Sequence, residues 1–173
     1  MRHLLLSLAL IPAVVTPAEI TMCYRDKAAE YRQTQEKCLA TMIYGEARGE
    51  AFTGKVAVAY TALNRAVNRP LCDVILQPKQ YSIFNGSAEW HAAATDPLVE
   101  PAQENKADEE GWQDSLRAAK LVMAGEVSDP SNGSTHYISD RVMKLKKYKY
   151  PKWSRTYVQV AKIGEHRFFK QNI

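Results

Sequence analysis

The run Val56-Ala57-Val58-Ala59-Tyr60-Thr61-Ala62-Leu63 constrains this chain more than any other feature of it. A helix that is apolar nearly all round has no face to offer to water, so other elements must pack on every side of it. The spacing predicts a helix from about Thr53 to Val67, with Thr53 as N-cap and Asn68-Arg69-Pro70 as its stop. A domain must therefore be assembled around this segment. The 173 residues are enough for one such core.

The flanking pattern supplies the surrounding layers. A helix is predicted over Glu36–Ala47, where Leu39, Met42, Ile43 and Glu46 fall on one stripe. Gly49 interrupts it. A short helix or turn follows at Leu71–Leu76, ahead of Pro78. Residues 81–110 hold few long apolar runs and read as a long surface excursion of the kind that carries function. Another helix is expected over Asp114–Ala124, closed by Gly125. Asp129-Pro130-Ser131-Asn132-Gly133 is a turn signal, and Thr135–Ser139 reads as extended. Tyr157–Ile163 and His166–Phe169, joined by Gly164-Glu165, read as a hairpin. The fold class is α+β, mainly α: a helical domain with a small β-hairpin element. No internal repeat or low-complexity linker divides it.

The N-terminus reads as a targeting segment. Met1-Arg2-His3 is a short basic start, and Leu4–Val15 is apolar apart from Ser7 and Pro12. Thr16-Pro17-Ala18 then offers small residues for cleavage. Residues 1–18 are read as a signal peptide, 19–35 as a polar lead-in with helical character over Lys27–Gln35, and 36–173 as the functional domain. Export to the periplasm or cell exterior is expected, with membrane contact only through the signal. In such a compartment Cys38 and Cys72 are the favoured disulfide, leaving Cys23 over, with three free thiols as the alternative. The net charge of +4 is a mild basic excess without a nucleic-acid-binding motif. Its one dense cluster is Lys144, Lys146, Lys147, Lys149 and Lys152. That cluster is either a solvated face or an attraction for an anionic polymer.

Glu46 closes the apolar stripe of the first predicted helix. Burying an ionised carboxylate is costly, so such a group tends to hold its proton. A neutral carboxylic acid is what general-acid cleavage of a glycosidic bond requires. Spacing alone leaves a plainer alternative, a helix-end carboxylate paired with Arg48 or Arg65. No metal site or cofactor is expected. His91, His136 and His166 are widely spaced and read as packing or surface residues, and no phosphate-binding loop or nucleophile elbow is present.

The block Ile43-Tyr44-Gly45-Glu46-Ala47-Arg48-Gly49-Glu50, followed by Gly54-Lys55-Val56-Ala57-Val58-Ala59 and Leu63-Asn64-Arg65, resembles the spore-cortex-lytic and cell-wall-hydrolase family. The resemblance continues through Cys72-Asp73-Val74-Ile75 and Gln80-Tyr81-Ser82. It resumes at His136-Tyr137, Trp153 and Ile163-Gly164-Glu165-His166-Arg167-Phe168-Phe169. It implies a lysozyme-like, mostly helical fold and cleavage of peptidoglycan glycan strands, in several members as lytic transglycosylases. It places the catalytic acid on Glu46 and a structural or substrate-orienting role on Glu50. It also implies a glycan cleft lined by Gln80, Tyr81 and Ser82, with Tyr137 opposite the acid. Trp153 is read as core, while Trp90 and Trp112 are open as sugar contacts.

A lytic transglycosylase needs one carboxylate, whereas ordinary hydrolysis needs two. With one well-placed Glu, transglycosylation is the expectation. A muramidase assisted by Glu50 or Asp96 is the alternative, and a wall-binding module without catalysis is the second. The compact length suits a phage lysis enzyme or a periplasmic remodelling enzyme acting as a monomer.

Overall fold

Around the predicted central helix the chain builds a helical layer and a small sheet, seen in a computed structural model that describes residues 16–172. The expected signal, residues 1–18, lies almost wholly outside the described residues. The chain divides into two compact units, Met1–Tyr31 and Arg32–Ile173. The site and the core belong to the second.

Helix α2 spans Phe52–Arg65 and buries Val56, Ala57, Val58, Ala59, Thr61 and Ala62. It packs against α3 (Leu71–Ile75), α5 (Lys106–Ala124) and strands β1 (His136–Ser139) and β2 (Val158–Ile163). The central position read from its composition is therefore found. Its start is not capped as expected: Ala51 occupies the N-cap without a side-chain bond, and Thr53 lies inside the helix.

Helix α1 runs Pro17–Ala47, joining the predicted Glu36–Ala47 to the helical character expected over Lys27–Gln35 and reaching further, to Pro17. The added segment mixes scattered apolar residues, Ile20, Met22, Tyr24 and Tyr31, with polar ones and shows no apolar stripe. After Pro17 at its first position it is free of Gly and Pro and rich in Ala, Glu, Gln and Arg, so propensity supports what periodicity cannot detect. Leu39, Met42 and Ile43 are fully buried as expected.

The predicted excursion over residues 81–110 is more folded than its composition suggested. Ser82–Phe84 forms a 3-10 turn, Ala88–Thr95 forms α4, and Tyr81, Phe84, Ala93 and Ala94 are buried. The Thr41 hydroxyl donates to Ala93 O at 3.1 Å, and the Tyr44 hydroxyl donates to Ala102 O at 3.0 Å. Alanines pack tightly without adding to an apolar run, which is why this segment reads as loop. Helix α5 starts earlier than predicted because Asn105 caps it, accepting from Ala107 N and Asp108 N at 3.0 and 3.1 Å.

The predicted hairpin is β2 with β3 (His166–Lys170), and β1 pairs with the other edge of β3. The sheet is antiparallel in the order β1-β3-β2. Two further elements were not foreseen: α6 (Asp140–Leu145) and a 3-10 turn at Lys152–Arg155. The favoured Cys38–Cys72 disulfide is absent. Both cysteines are buried free thiols, and they are close enough for the Cys38 S–H to donate to Cys72 Sγ, which together with burial pushes the Cys38 thiol far up.

Candidate active site

The glycine before Glu46 sets the geometry of the site. A Cβ on Gly45 would run into the Ile83 side chain and come against Trp90, so glycine lets the 82–84 turn pack closely onto the last turns of α1 with those side chains in place. That contact brings Tyr81 and Ser82 beside the Glu46 carboxylate. From the other side, Asn64 of α2 donates to Asp129 Oδ2 and to Ser134 O, both at 3.0 Å. Asp129 also accepts from Ser131 and Gly133. Burial alone would raise its pKa, but these hydrogen bonds outweigh it and hold it low. The turn so fixed launches β1, and β1 delivers Tyr137 across from α1.

The Tyr137 hydroxyl donates to Glu46 Oε2 at 2.9 Å. Glu46 Oε1 is buried and has no hydrogen-bond partner among the described residues. Burial raises the pKa of Glu46 above the ordinary carboxylate range. The Tyr137 hydroxyl and the nearby Ser82 backbone N–H pull it back only in part. Its place in the last turn of α1, at the negative end of the helix dipole, works with burial. Neither arginine considered as a partner pairs with it. Arg48 binds Asp108 at 3.0 Å, and Arg65 turns to the Tyr81 hydroxyl at 3.3 Å and to Gln80 Oε1.

Glu46, Gln80, Tyr81, Ser82 and Tyr137 together line a cleft of about 440 Å³. Glu46 is the only carboxylate among its lining residues. Six further members were not assigned to the site from the sequence: Thr61, Arg65, Lys79, Thr135, His136 and Trp153. Arg65 stacks over the Tyr81 ring at 5.6 Å. His136 packs on Trp153 with centroids 4.9 Å apart, and burial, helped by Arg65, lowers its pKa. Both residues sit inside segments that the motifs already marked, Leu63-Asn64-Arg65 and His136-Tyr137, so the signal was present.

Glu50 does not line this cleft. Its Oε2 accepts from Glu165 N at 3.3 Å, and its Oε1 lies 3.4 Å from His166 Nδ1. A Cβ on Gly164 would run into Glu50 Oε2, so the β2–β3 turn closes directly over this carboxylate. Lys55, itself buried, donates to Glu50 O at 2.8 Å and fixes its main chain. The His166 ring in turn meets Tyr137 edge to face at 5.1 Å. The path from Glu50 to the acid thus runs through His166 and Tyr137. Burial lowers the His166 pKa more than Glu50 raises it.

The other candidates lie elsewhere. Trp112 is fully buried against Tyr44, which rules it out as a sugar contact in this structure. Trp90 lines a separate cavity of about 290 Å³ with Tyr44 and Arg48. Asp96 is exposed and accepts from Leu98 N at 2.9 Å in a local turn. No group of residues able to hold a metal ion is found among the described residues.

A family model described as Cell Wall Hydrolase matches residues 49–169, beginning just after Glu46. The spore cortex-lytic enzyme of Halalkalibacterium halodurans is 30% identical over 145 residues, covering 81% of this chain and 36% of that protein. The spore cortex-lytic enzyme of Oceanobacillus iheyensis is 29% identical over 144 residues, covering 81% and 43%. The chain thus spans less than half the length of these curated relatives. Among solved structures, the catalytic domain of the Bacillus cereus SleB protein superposes with a TM-score of 0.51 at 26% identity, covering 80% of this chain and 91% of that one. The catalytic domain of the germination-specific lytic transglycosylase SleB from Bacillus anthracis gives 0.52 at 25% identity, covering 80% and 95%.

Proposed function

The chain belongs to the cell wall hydrolase family, and on that footing we propose that it cleaves the MurNAc–GlcNAc linkage of peptidoglycan as a lytic transglycosylase, with Glu46 as its catalytic residue. The observation that carries this reading is a single carboxylate in the cleft, its pKa raised because burial outweighs the Tyr137 hydroxyl and the Ser82 backbone N–H beside it. Protonated Glu46 donates its proton to the glycosidic oxygen as the bond from the muramyl anomeric carbon breaks. The resulting carboxylate then removes the proton of the muramyl 6-hydroxyl. That oxygen closes on the anomeric carbon and forms a 1,6-anhydro ring. Glu46 ends protonated again, and no water is consumed.

The surrounding residues have separate tasks in this scheme. The Tyr137 hydroxyl orients the carboxyl group and stabilises the charge that appears on it after proton transfer. Gln80, Tyr81 and Ser82 bind the glycan along one wall, with Arg65 fixing Gln80 and Tyr81 from behind. Glu50 acts at one remove, holding His166 and through it the Tyr137 ring. The substrate places the reaction outside the cytoplasm, in keeping with the expected signal over residues 1–18 and a catalytic domain over 36–173.

A muramidase reading has less support. Hydrolysis needs a second carboxylate flanking the bond, whereas Glu50 faces the hairpin and Asp96 an exposed turn. A phage-lysis setting draws no support from relatives that are spore enzymes. The deciding measurement is mass spectrometry of muropeptides released from purified sacculi. Anhydro-muramyl ends are expected. Reducing muramyl ends would overturn the transglycosylase assignment, and free stem peptides or no release at all would overturn glycan cleavage itself.

A further inference from the structure

A second cleft, of about 620 Å³, lies beside the first. The Trp153 ring lines the acid cleft and packs on Tyr157 and Phe169 at 5.4 and 5.5 Å, and both of those residues line the second cleft. The two are therefore separated by about one aromatic side chain. The second cleft is cationic: Lys149, Arg155 and Arg167 line it, and no acidic residue does.

Arg167 is held in place before any ligand arrives. Its Nε reaches both oxygens of Asp140, at 2.8 and 3.0 Å, and its guanidinium lies over the Tyr150 ring at 5.9 Å. These hydrogen bonds use Nε, so the two outer nitrogens have no hydrogen-bond partner among the described residues. Asp140 also accepts from the Tyr150 hydroxyl at 3.1 Å and lies 3.4 Å from Lys162 Nζ, so its charge is already shared by two cations. Lys149 and Arg155 have no acidic partner among the described residues. Positive charge is thus in excess at this place.

A neutral sugar chain has no use for three cations. It is recognised by aromatic faces and neutral hydrogen bonds. A carboxylate suits an ordered guanidinium with a free outer edge. A group reaching a cleft one ring away from the scissile bond must be carried by the same strand within about a sugar. In peptidoglycan that group is the peptide borne by muramic acid, which is rich in carboxylates. We propose that the cleft between the 149–155 segment and β3 is a subsite for the carboxylates of the muramyl stem peptide. This rests on the glycan-cleaving reading above and gives that site a preference for peptide-bearing strands.

The test pairs kinetics with direct binding. Sacculus glycan is prepared with its stem peptides intact and, in parallel, stripped of them by an amidase. Wild type is expected to show a KM roughly tenfold lower on peptide-bearing strands, the scale of one or two charged hydrogen bonds. In K149A/R155A that preference should collapse towards one, and R155E should invert it. Calorimetry with a soluble disaccharide–tetrapeptide should show the same loss of affinity, and the loss should fade at high salt. A preference that survives in K149A/R155A overturns the proposal. So does a wild type with no preference, or one that binds poly(glycerol phosphate) more tightly than the stem peptide. If wild type cleaves neither glycan, the catalytic reading fails instead, and the calorimetry still reports on this subsite.

Discussion

Glu46 sits in the last turn of α1 facing an open cleft, whereas Glu50, just beyond the helix, folds back beneath the β2–β3 turn. Glu46 has the Tyr137 hydroxyl on one oxygen, the Ser82 backbone N–H nearby, and a buried Oε1 without a partner among the described residues. Glu50 has a backbone N–H on one oxygen, a histidine near the other, and a glycine turn closed over it. The difference teaches how one short segment yields two roles. A carboxylate supplied with partners becomes a strut. One that is desolvated and has fewer partners is pushed towards holding its proton, which is the property that the proposed mechanism uses.

The largest effect should come from removing that proton. E46Q keeps the shape of the side chain and should lose about 10²- to 10⁴-fold in rate of sacculus digestion, the usual contribution of a general acid. A rate within threefold of wild type would end the account of Glu46. The same variant also reports on stability. A carboxylate whose folded pKa is raised contributes stability below its unfolded pKa and loses it as pH rises through the folded value. Relative to wild type, E46Q should therefore gain stability in urea between pH 4 and pH 8. A constant difference across that range would mean that burial does not raise this pKa.

Tyr137 is the hinge of the comparison, since it touches Glu46 with its hydroxyl and His166 with its ring. Y137F removes only the first contact. A loss of about tenfold in kcat is expected, from one charge-assisted hydrogen bond. The pH profile sharpens this. The hydroxyl favours the charged carboxylate, so its loss should raise the Glu46 pKa further. The alkaline limb of kcat/KM should then move to higher pH. A limb that stays in place or moves down would show that the hydroxyl acts on the sugar instead.

These partnerships were unevenly legible beforehand. The central helix could be read from composition, because Val56–Leu63 leaves no polar face. Glu46 and Tyr137 could be read because motif blocks marked them, and the hairpin because Gly164-Glu165 separates two apolar runs. The destination of Glu50 could not be read. It depends on the β2–β3 turn, more than a hundred residues later, closing over its side chain. The partners of Arg65, offered from spacing only as an alternative mate for Glu46, could not be read either, since Gln80 and Tyr81 arrive on a turn that packs against Gly45. Local periodicity reports which face of an element is apolar, not which distant loop will cover its end.

E50A should act more weakly on the chemistry than Y137F and more strongly on the fold. It leaves the Glu165 N–H and the His166 ring without their carboxylate, a cost of about 1–3 kcal/mol in unfolding free energy. Activity should fall several-fold in kcat, because Tyr137 loses its backing, with KM little changed. The alkaline limb should remain where wild type has it, since Glu50 does not touch Glu46. A shifted limb would place Glu50 in the cleft electrostatics and erase the distinction drawn here.

The smallest effect belongs to Gly164. Its φ of +54° is costly for alanine, and the added Cβ would run into Glu50 Oε2. G164A should cost about 1–2 kcal/mol from backbone strain together with displacement of the carboxylate. The two causes separate in a double-mutant cycle. In the E50A background the carboxylate is already gone, so only the strain remains, and G164A should cost less there than in wild type. Equal costs in both backgrounds would mean that the turn is held by its own conformation and that Glu50 moves aside freely. The seat of Glu50 would then be incidental, and its contrast with Glu46 would reduce to burial alone.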